Sequence, residues 1–112
     1  MPKSDHLSDF ELFVMLAVAA LDGDAYGVTI STRIADRTGR DVSIGAVYAT
    51  LERLVSKGYA RESEMPGGAE RSGLAKRFYE ITAAGKGALE GARDLQERMW
   101  SGLKLRPERR RS

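Results

Sequence analysis

Residues 43–58, SIGAVYATLERLVSKG, decide the fold, because they form an amphipathic helical pattern with both a start and a stop signal. Ser43 is a favourable N-cap and Gly58 a typical residue just beyond a helix end. On a helical wheel one arc is apolar and predicts the core side: Ile44, Val47, Leu51, Leu54 and Val55. The opposite arc has mostly small or polar side chains and predicts a free face: Gly45, Ala46, Ala49, Glu52, Arg53 and Ser56, with Tyr48 and Thr50 on the borders.

Two further helical patterns precede this segment. Residues 8–11 match a capping box, and the apolar run LFVMLAVAAL at 12–21 follows it, so a helix is predicted from Ser8 to Leu21, buried on more than one side. Asp22-Gly23-Asp24 breaks this helix and offers an N-cap for a second one, predicted over 25–38 and ended by Gly39. Three helices joined by short turns predict a helix-turn-helix unit.

The chain after Gly58 changes to a strand pattern. Residues 59–63 and 76–81 are predicted strands, and the glycine-rich segment between them is typical of a hairpin tip. A helix-turn-helix followed by such a hairpin is a winged helix. Thr82 is a predicted N-cap for a last helix that reaches about Leu103 and ends before Arg106-Pro107.

The predicted last helix has a long apolar arc, wider than a small three-helix domain can cover. We therefore expect it to form a dimer interface, with the first helix as a second contributor. The alternative is that this helix folds back on its own domain. The expected interface residues are Leu89, Ala92, Leu95, Met99, Trp100 and Leu103.

These patterns predict a mainly α protein with a small β-hairpin: a winged helix-turn-helix plus a C-terminal dimerisation helix. We expect a winged-helix DNA-binding domain at 1–81, the dimerisation helix of the same domain at 82–103, and a basic disordered tail at 104–112. The tail has five Lys/Arg against one Glu, so its net charge of +4 exceeds the +2 of the whole chain and the remainder of the chain is slightly acidic.

Composition excludes several classes of protein. The 112 residues suffice for one domain, and they include no cysteine and a single histidine, His6, which leaves little material for a metal site or a catalytic dyad. We expect no enzyme activity, no cofactor and no metal. The apolar run at 12–21 is too short to span a membrane, and acidic residues precede it, so we expect a cytoplasmic protein without a signal peptide.

The free face of the third helix favours DNA binding. Small side chains let a helix approach the floor of a major groove, and hydroxyl groups can bond phosphates or base edges. The alternatives are an ordinary amphipathic surface helix, with Tyr48 at the edge of the core, and a winged-helix module for protein–protein contact. The predicted DNA contacts are Ser43, Gly45, Ala46, Tyr48, Ala49 and Thr50, with Arg53, Arg71, Lys76 and Arg77 on phosphates.

Three blocks of sequence resemble the PadR-like transcriptional regulators. They are YGVTI at 26–30, SIGAVYATLERL at 43–54 followed by Gly58-Tyr59, and AKRFYEITAAG at 75–85. Their order and spacing cover nearly the whole chain. The single C-terminal helix resembles the short subfamily of these regulators.

The resemblance implies a homodimeric regulator of transcription that binds double-stranded DNA, most often as a repressor. Two-fold symmetry would make its operator an inverted repeat. Some members of the family sense small aromatic molecules near the dimer interface. Trp100 and Met99 are the residues here that suit such an effector, and the alternatives are that Trp100 only packs and that no effector exists.

Overall fold

The computed structural model describes residues 6–63 and 77–107. Within them the chain forms four α-helices and one two-stranded antiparallel sheet. The elements in chain order are α1 (Asp9–Leu21), α2 (Gly27–Thr38), α3 (Ile44–Ser56), β1 (Ala60–Ser63), β2 (Phe78–Ile81) and α4 (Ala83–Trp100). Three predicted features lie outside the described residues: the hairpin tip with Arg71, the start of the second strand with Lys76, and the last five residues of the tail.

Three helix starts follow the local sequence signals. The Ser8 hydroxyl accepts from the N–H of Glu11 at 3.1 Å, and the Glu11 carboxylate accepts from the N–H of Ser8 at 2.9 Å, which completes the predicted capping box. Ser43 caps α3 through the N–H of Ala46, and Thr82 caps α4 through the N–H of Gly85, each at 3.0 Å. These predictions are confirmed.

The predicted start of α2 is wrong by two residues. The N-cap is Tyr26, whose N–H donates to the Thr29 hydroxyl at 3.0 Å, while that hydroxyl donates to the carbonyl oxygen of Asp24. Asp24 is therefore bound through its backbone and is not the cap. Ala25 is fully buried, and its carbonyl oxygen accepts from the N–H of Tyr79 at 2.9 Å, so this residue bridges to the hairpin and does not begin the helix.

The predicted end of α4 is also wrong. The helix stops at Trp100, before Leu103 and well before Arg106-Pro107. Gly102 has φ +77°, a left-handed conformation that only glycine adopts readily, so the helix cannot continue through it.

The core lies among the first three helices. Its members are fully buried apolar side chains of all three helices: Val14, Met15, Ile30, Val47, Leu51 and Leu54. Ile44 and Val55, predicted for the core, are 42% and 40% exposed, because the apolar arc of α3 is wider than the surface that α1 and α2 cover. On α1, Leu16 is 49% exposed, so this helix keeps an apolar strip on its outer side.

The hairpin is fastened to the helical core at its base. Ala60 pairs with Ile81 and Ser63 with Phe78. The N–H of Tyr59 donates to the carbonyl oxygen of Leu54 at 2.9 Å, which ties the first strand to the end of α3. The N–H of Tyr79 donates to the carbonyl oxygen of Ala25 between α1 and α2, and this bond places β2 beside the start of α2. The architecture is the predicted winged helix-turn-helix.

Candidate nucleic-acid interface

The first turns of α3 present a surface made of very small side chains. Gly45, Ala46 and Ala49 are all exposed, and no atom lies within 4 Å of the position that a Cβ at Gly45 would take. Ser43 is exposed as well and uses its hydroxyl oxygen as the helix cap. We call these four residues the α3 free face. A surface with so little side-chain volume allows close approach of the helix backbone to a flat or grooved partner.

Tyr48 lies at the edge of this surface, against the start of α2. Its hydroxyl oxygen accepts from the N–H of Gly27 at 3.2 Å, and its ring centroid is 6.3 Å from that of Tyr79. A Cβ at Gly27 would lie 2.6 Å from the Tyr48 ring, so glycine is required there for the ring to pack as it does. The half-buried ring thus joins α2, α3 and the hairpin, and its hydroxyl hydrogen remains available to a ligand.

Thr50, predicted as a DNA contact, is only 1% exposed. Its hydroxyl oxygen accepts from the Nη2 of Arg53 at 3.1 Å and lies beneath that side chain. This prediction is corrected: the Thr50 hydroxyl faces the protein and is not part of the surface that a DNA molecule could touch. The helical wheel placed Thr50 on a border, and the structure shows its hydroxyl under the Arg53 side chain, which Glu11 of α1 holds in place.

Arg53 belongs to an ionic cluster that sequence reasoning missed. Glu11 of α1 has a side chain only 7% exposed, and its carboxylate accepts from Lys57 Nζ at 3.2 Å and from Arg53 Nε at 3.5 Å. We call Glu11, Arg53 and Lys57 the Glu11 cluster. Burial raises the pKa of Glu11, but the hydrogen bond from the N–H of Ser8 and the bonds and charges of Lys57 and Arg53 outweigh it, so the pKa lies below its usual value.

The sequence did contain a partial signal for this cluster. Arg53 and Lys57 are four residues apart and therefore share one face of α3. Glu11 adjoins the apolar run of α1 and was interpreted only as half of a capping box. Its second role depends on how α1 crosses α3, which no local pattern specifies.

Arg77 is a cation at the base of the hairpin with acidic side chains near it. The side chain of Arg77 is 57% exposed, and its Nη1 lies 4.0 Å from the carboxylate of Glu62. A hydrogen bond with Tyr79, and then the negative charge of Glu62, raise the pKa of Arg77; Glu52 of α3 acts in the same direction. Arg77 therefore lies within electrostatic range of Glu52 on α3, and its contact with a phosphate stays a prediction. Arg71 and Lys76 cannot be placed because they lie outside the described residues.

The outer face of α4 is apolar and largely uncovered in the single chain. Leu95, Met99 and Trp100 are 56%, 76% and 58% exposed, and Leu103, just beyond the end of the helix, is 52% exposed. The other predicted interface residues, Leu89 and Ala92, are half-buried nearer the start of the helix. A groove of about 810 Å³ separates this part of α4 from the start of α1, with Leu12 and Tyr59 among its lining residues.

Two absences concern only the part of the chain that the structure describes. Within residues 6–63 and 77–107, no three His, Asp or Glu side chains are close enough together to hold a metal ion. None of the four helices in those ranges is long and apolar enough to cross a membrane.

The arrangement of α2, α3 and the β1–β2 hairpin shows that this is a winged helix-turn-helix protein. Residues 15–91 match the model of the transcriptional regulator PadR-like family. That match spans more than half of the chain, and the chain belongs to the PadR-like family of transcriptional regulators. No curated protein sequence matches it.

Several solved structures share the fold. The hsRosR-S4 complex superposes with a TM-score of 0.67 at 21% identity, covering 89% of this chain and 79% of that one. A winged-helix DNA-binding protein from STIV gives 0.62 at 17% identity, covering 87% and 98%. Bacillus subtilis PadR in complex with operator DNA gives 0.62 at 15% identity, covering 96% of this chain and 55% of that one.

Proposed function

We propose that this regulator binds double-stranded DNA as a homodimer, with the α3 free face in the major groove, and represses transcription from an inverted-repeat operator. The observation that carries the proposal is the free face itself. Gly45, Ala46 and Ala49 are exposed at the N-terminal end of α3, where a winged helix presents its recognition surface. The helix N-terminus adds a partial positive charge that suits phosphate.

Each group on this surface has a definable role in the proposal. The exposed alanine side chains can contact thymine methyl groups, and Ser43 and Tyr48 can donate hydroxyl hydrogens to phosphates or base edges. Arg53 on α3 and Arg77 at the base of the hairpin are proposed phosphate contacts because both side chains are more than half exposed. Arg71 and Lys76 stay in the proposal on sequence grounds alone. The STIV protein and Bacillus subtilis PadR support it as DNA-binding proteins of the same fold.

The test of DNA binding is a footprint on the DNA upstream of the protein's own gene, followed by binding measurements at several salt concentrations. Counterion release predicts a steep loss of affinity with salt, and the Arg77→Ala variant should bind all sequences more weakly with a slope lower by about one unit. The second candidate, a protein–protein module, is favoured by the acidic residues Glu52 and Glu62 beside Arg77. It predicts no footprint and little salt dependence.

The dimer is proposed from the uncovered apolar face of α4. Its three exposed large apolar side chains, together with Leu103 beyond the helix end and Leu16 on α1, are more than an isolated surface helix normally presents to water. Burying Met99 and Leu103 against a second copy should contribute roughly 1.5–3 kcal/mol each. Sedimentation tests this: the wild type should be dimeric at micromolar concentration and the double variant Met99→Lys, Leu103→Lys monomeric. A monomeric wild type would refute the proposal.

Repression and effector control are separate parts of the proposal. In vitro transcription from a template that contains the footprinted site should fall as protein is added, and a rise would indicate an activator. Trp100 is 58% exposed on the proposed interface, so its fluorescence reports on any flat aromatic molecule bound there. An effector must bind the free and DNA-bound states differently, so quenching has to be accompanied by release of DNA.

A further inference from the structure

Glu11 is unusual because one nearly buried carboxylate has two cationic partners. A buried carboxylate needs hydrogen-bond donors and an opposite charge, and a single cation would satisfy the charge. Here Lys57 Nζ lies 3.2 Å from both carboxylate oxygens, and Arg53 Nε lies 3.5 Å from one of them. The Glu11 cluster therefore has a net positive charge of one, and that charge is at the surface.

The surplus charge lies mainly on Arg53. The side chains of Arg53 and Lys57 are 55% and 34% exposed, whereas that of Glu11 is 7% exposed. The Arg53 guanidinium donates from Nε to Glu11 and from Nη2 to Thr50. Two of its five N–H groups are thus used to fix its orientation, and three are left for another acceptor.

The position of Arg53 on α3 indicates what that acceptor is. Arg53 follows Ala49 by four residues and Ala46 by seven, so it lies on the same side of the helix as part of the α3 free face. A guanidinium matches the geometry of a phosphate, and an orientation that is already fixed reduces the entropy lost on binding.

We propose that Glu11 is a positioning residue for DNA binding, which acts through Arg53 by holding its guanidinium ready for a DNA phosphate. This inference rests on the proposed function. Glu11 lies on α1, outside the recognition helix, and its charge repels DNA. Simple electrostatics therefore predicts that its neutralisation strengthens binding, whereas positioning predicts that neutralisation weakens binding.

The experiment is a double-mutant cycle with Glu11→Gln and Arg53→Ala, measured on a duplex of about 30 base pairs, which contains about three helical turns and so has room for two half-sites one turn apart. Glutamine can still accept the hydrogen bond from Ser8, so the capping box remains. Each single variant should bind about tenfold more weakly, the effect of losing one charge-assisted hydrogen bond. The salt slope should fall by about one unit in each. The double variant should bind no more weakly than Arg53→Ala alone.

A matched control separates positioning from charge and from loss of folded protein. Glu97→Gln makes the same change of charge in an exposed Arg–Glu pair on α4, where Arg93 Nε lies 3.2 Å from the Glu97 carboxylate, and it should bind as tightly as the wild type or slightly more tightly. A partly unfolded Glu11→Gln sample would show fewer active sites in a stoichiometric titration, but its salt slope would equal that of the wild type.

The outcomes distinguish the two levels of the proposal. A wild type with no affinity for DNA refutes the proposed function, and the role of Glu11 with it. If the wild type binds DNA and the Glu11→Gln variant binds it with equal or greater affinity, the positioning role of Glu11 is overturned and the proposed function stands. The positioning role is also overturned if the affinity losses of Glu11→Gln and Arg53→Ala multiply in the double variant, because Glu11 would then not act through Arg53.

Discussion

Replacing Gly85 by alanine should destabilise the protein, although the residue lies inside a helix where alanine is normally preferred. A Cβ at this position would clash with the carbonyl oxygen of Tyr59 and would lie 2.7 Å from Cγ2 of Ile81. Carbon atoms in contact are normally about 3.5–4.0 Å apart, so α4 would have to move away by about 1 Å. The crowded carbonyl is the one that accepts from the N–H of Thr82 at 3.0 Å, so the helix cap is affected too.

The magnitude follows from three contributions. Overpacking costs about 1–3 kcal/mol, and weakening the Thr82–Tyr59 hydrogen bond costs about 1 kcal/mol. The higher helix propensity of alanine returns about 1 kcal/mol. We therefore expect Gly85→Ala to lower the free energy of unfolding by roughly 1–3 kcal/mol.

The control lies two residues along the same helix. Gly87 is exposed, and nothing lies within 4 Å of the position of its Cβ, so Gly87→Ala should raise the free energy of unfolding by about 0.5–1 kcal/mol. Urea unfolding measures both variants, and one fixed protein concentration keeps the contribution of the proposed dimerisation the same in each measurement. The reasoning is refuted if Gly85→Ala is as stable as the wild type or shares the gain of Gly87→Ala.

Two other predictions concern contacts between helices. Gly27→Ala should destabilise the wild type by about 1–3 kcal/mol, because the added Cβ would overlap the Tyr48 ring. The same substitution should destabilise a Tyr48→Ala variant clearly less, and equal losses of stability in both backgrounds would show that the ring is not the obstacle. The pH dependence of unfolding should reveal Glu11: its pKa is lowered on folding, so its stabilisation is complete above the ordinary value of 4.5 and is lost as the pH falls through the lower folded value. The stability difference between wild type and Glu11→Gln should therefore shrink between pH 6 and pH 3, and a constant difference would contradict the role of the ionised carboxylate.

The features that the sequence predicted well depend on neighbouring residues. The caps Ser8, Ser43 and Thr82 each bond an amide three residues further along, so the pattern contains both partners. The start of α2 was missed because the N–H of Tyr79, far along the chain on β2, donates to the carbonyl oxygen of Ala25 and keeps that residue out of the helix. The winged-helix architecture could be predicted because the change from helical to strand pattern is visible along the chain.

The features that the sequence predicted poorly depend on contacts between elements. A helical wheel orders the side chains around α3 but does not show how much of the wheel is covered, so Ile44 and Val55 were placed in the core. Thr50 lies beneath Arg53, whose position depends on Glu11, 42 residues away in the chain. The crossing of α1 over α3 determines both facts, and it leaves no periodic signal in either helix.

The fastening of the hairpin has a consequence for how a small molecule could control DNA binding. The bond from Tyr79 to Ala25, the bond from Tyr59 to Leu54 and the packing of Tyr48 on Gly27 join the wing base, α2 and α3 into one body. The amide hydrogen of Tyr79 should then exchange with solvent almost as slowly as global unfolding allows. If the proposed dimer binds an effector at its interface, such rigid bodies predict that the effector changes the distance between the two α3 helices by rotating whole subunits, and does not bend the wing away from α3.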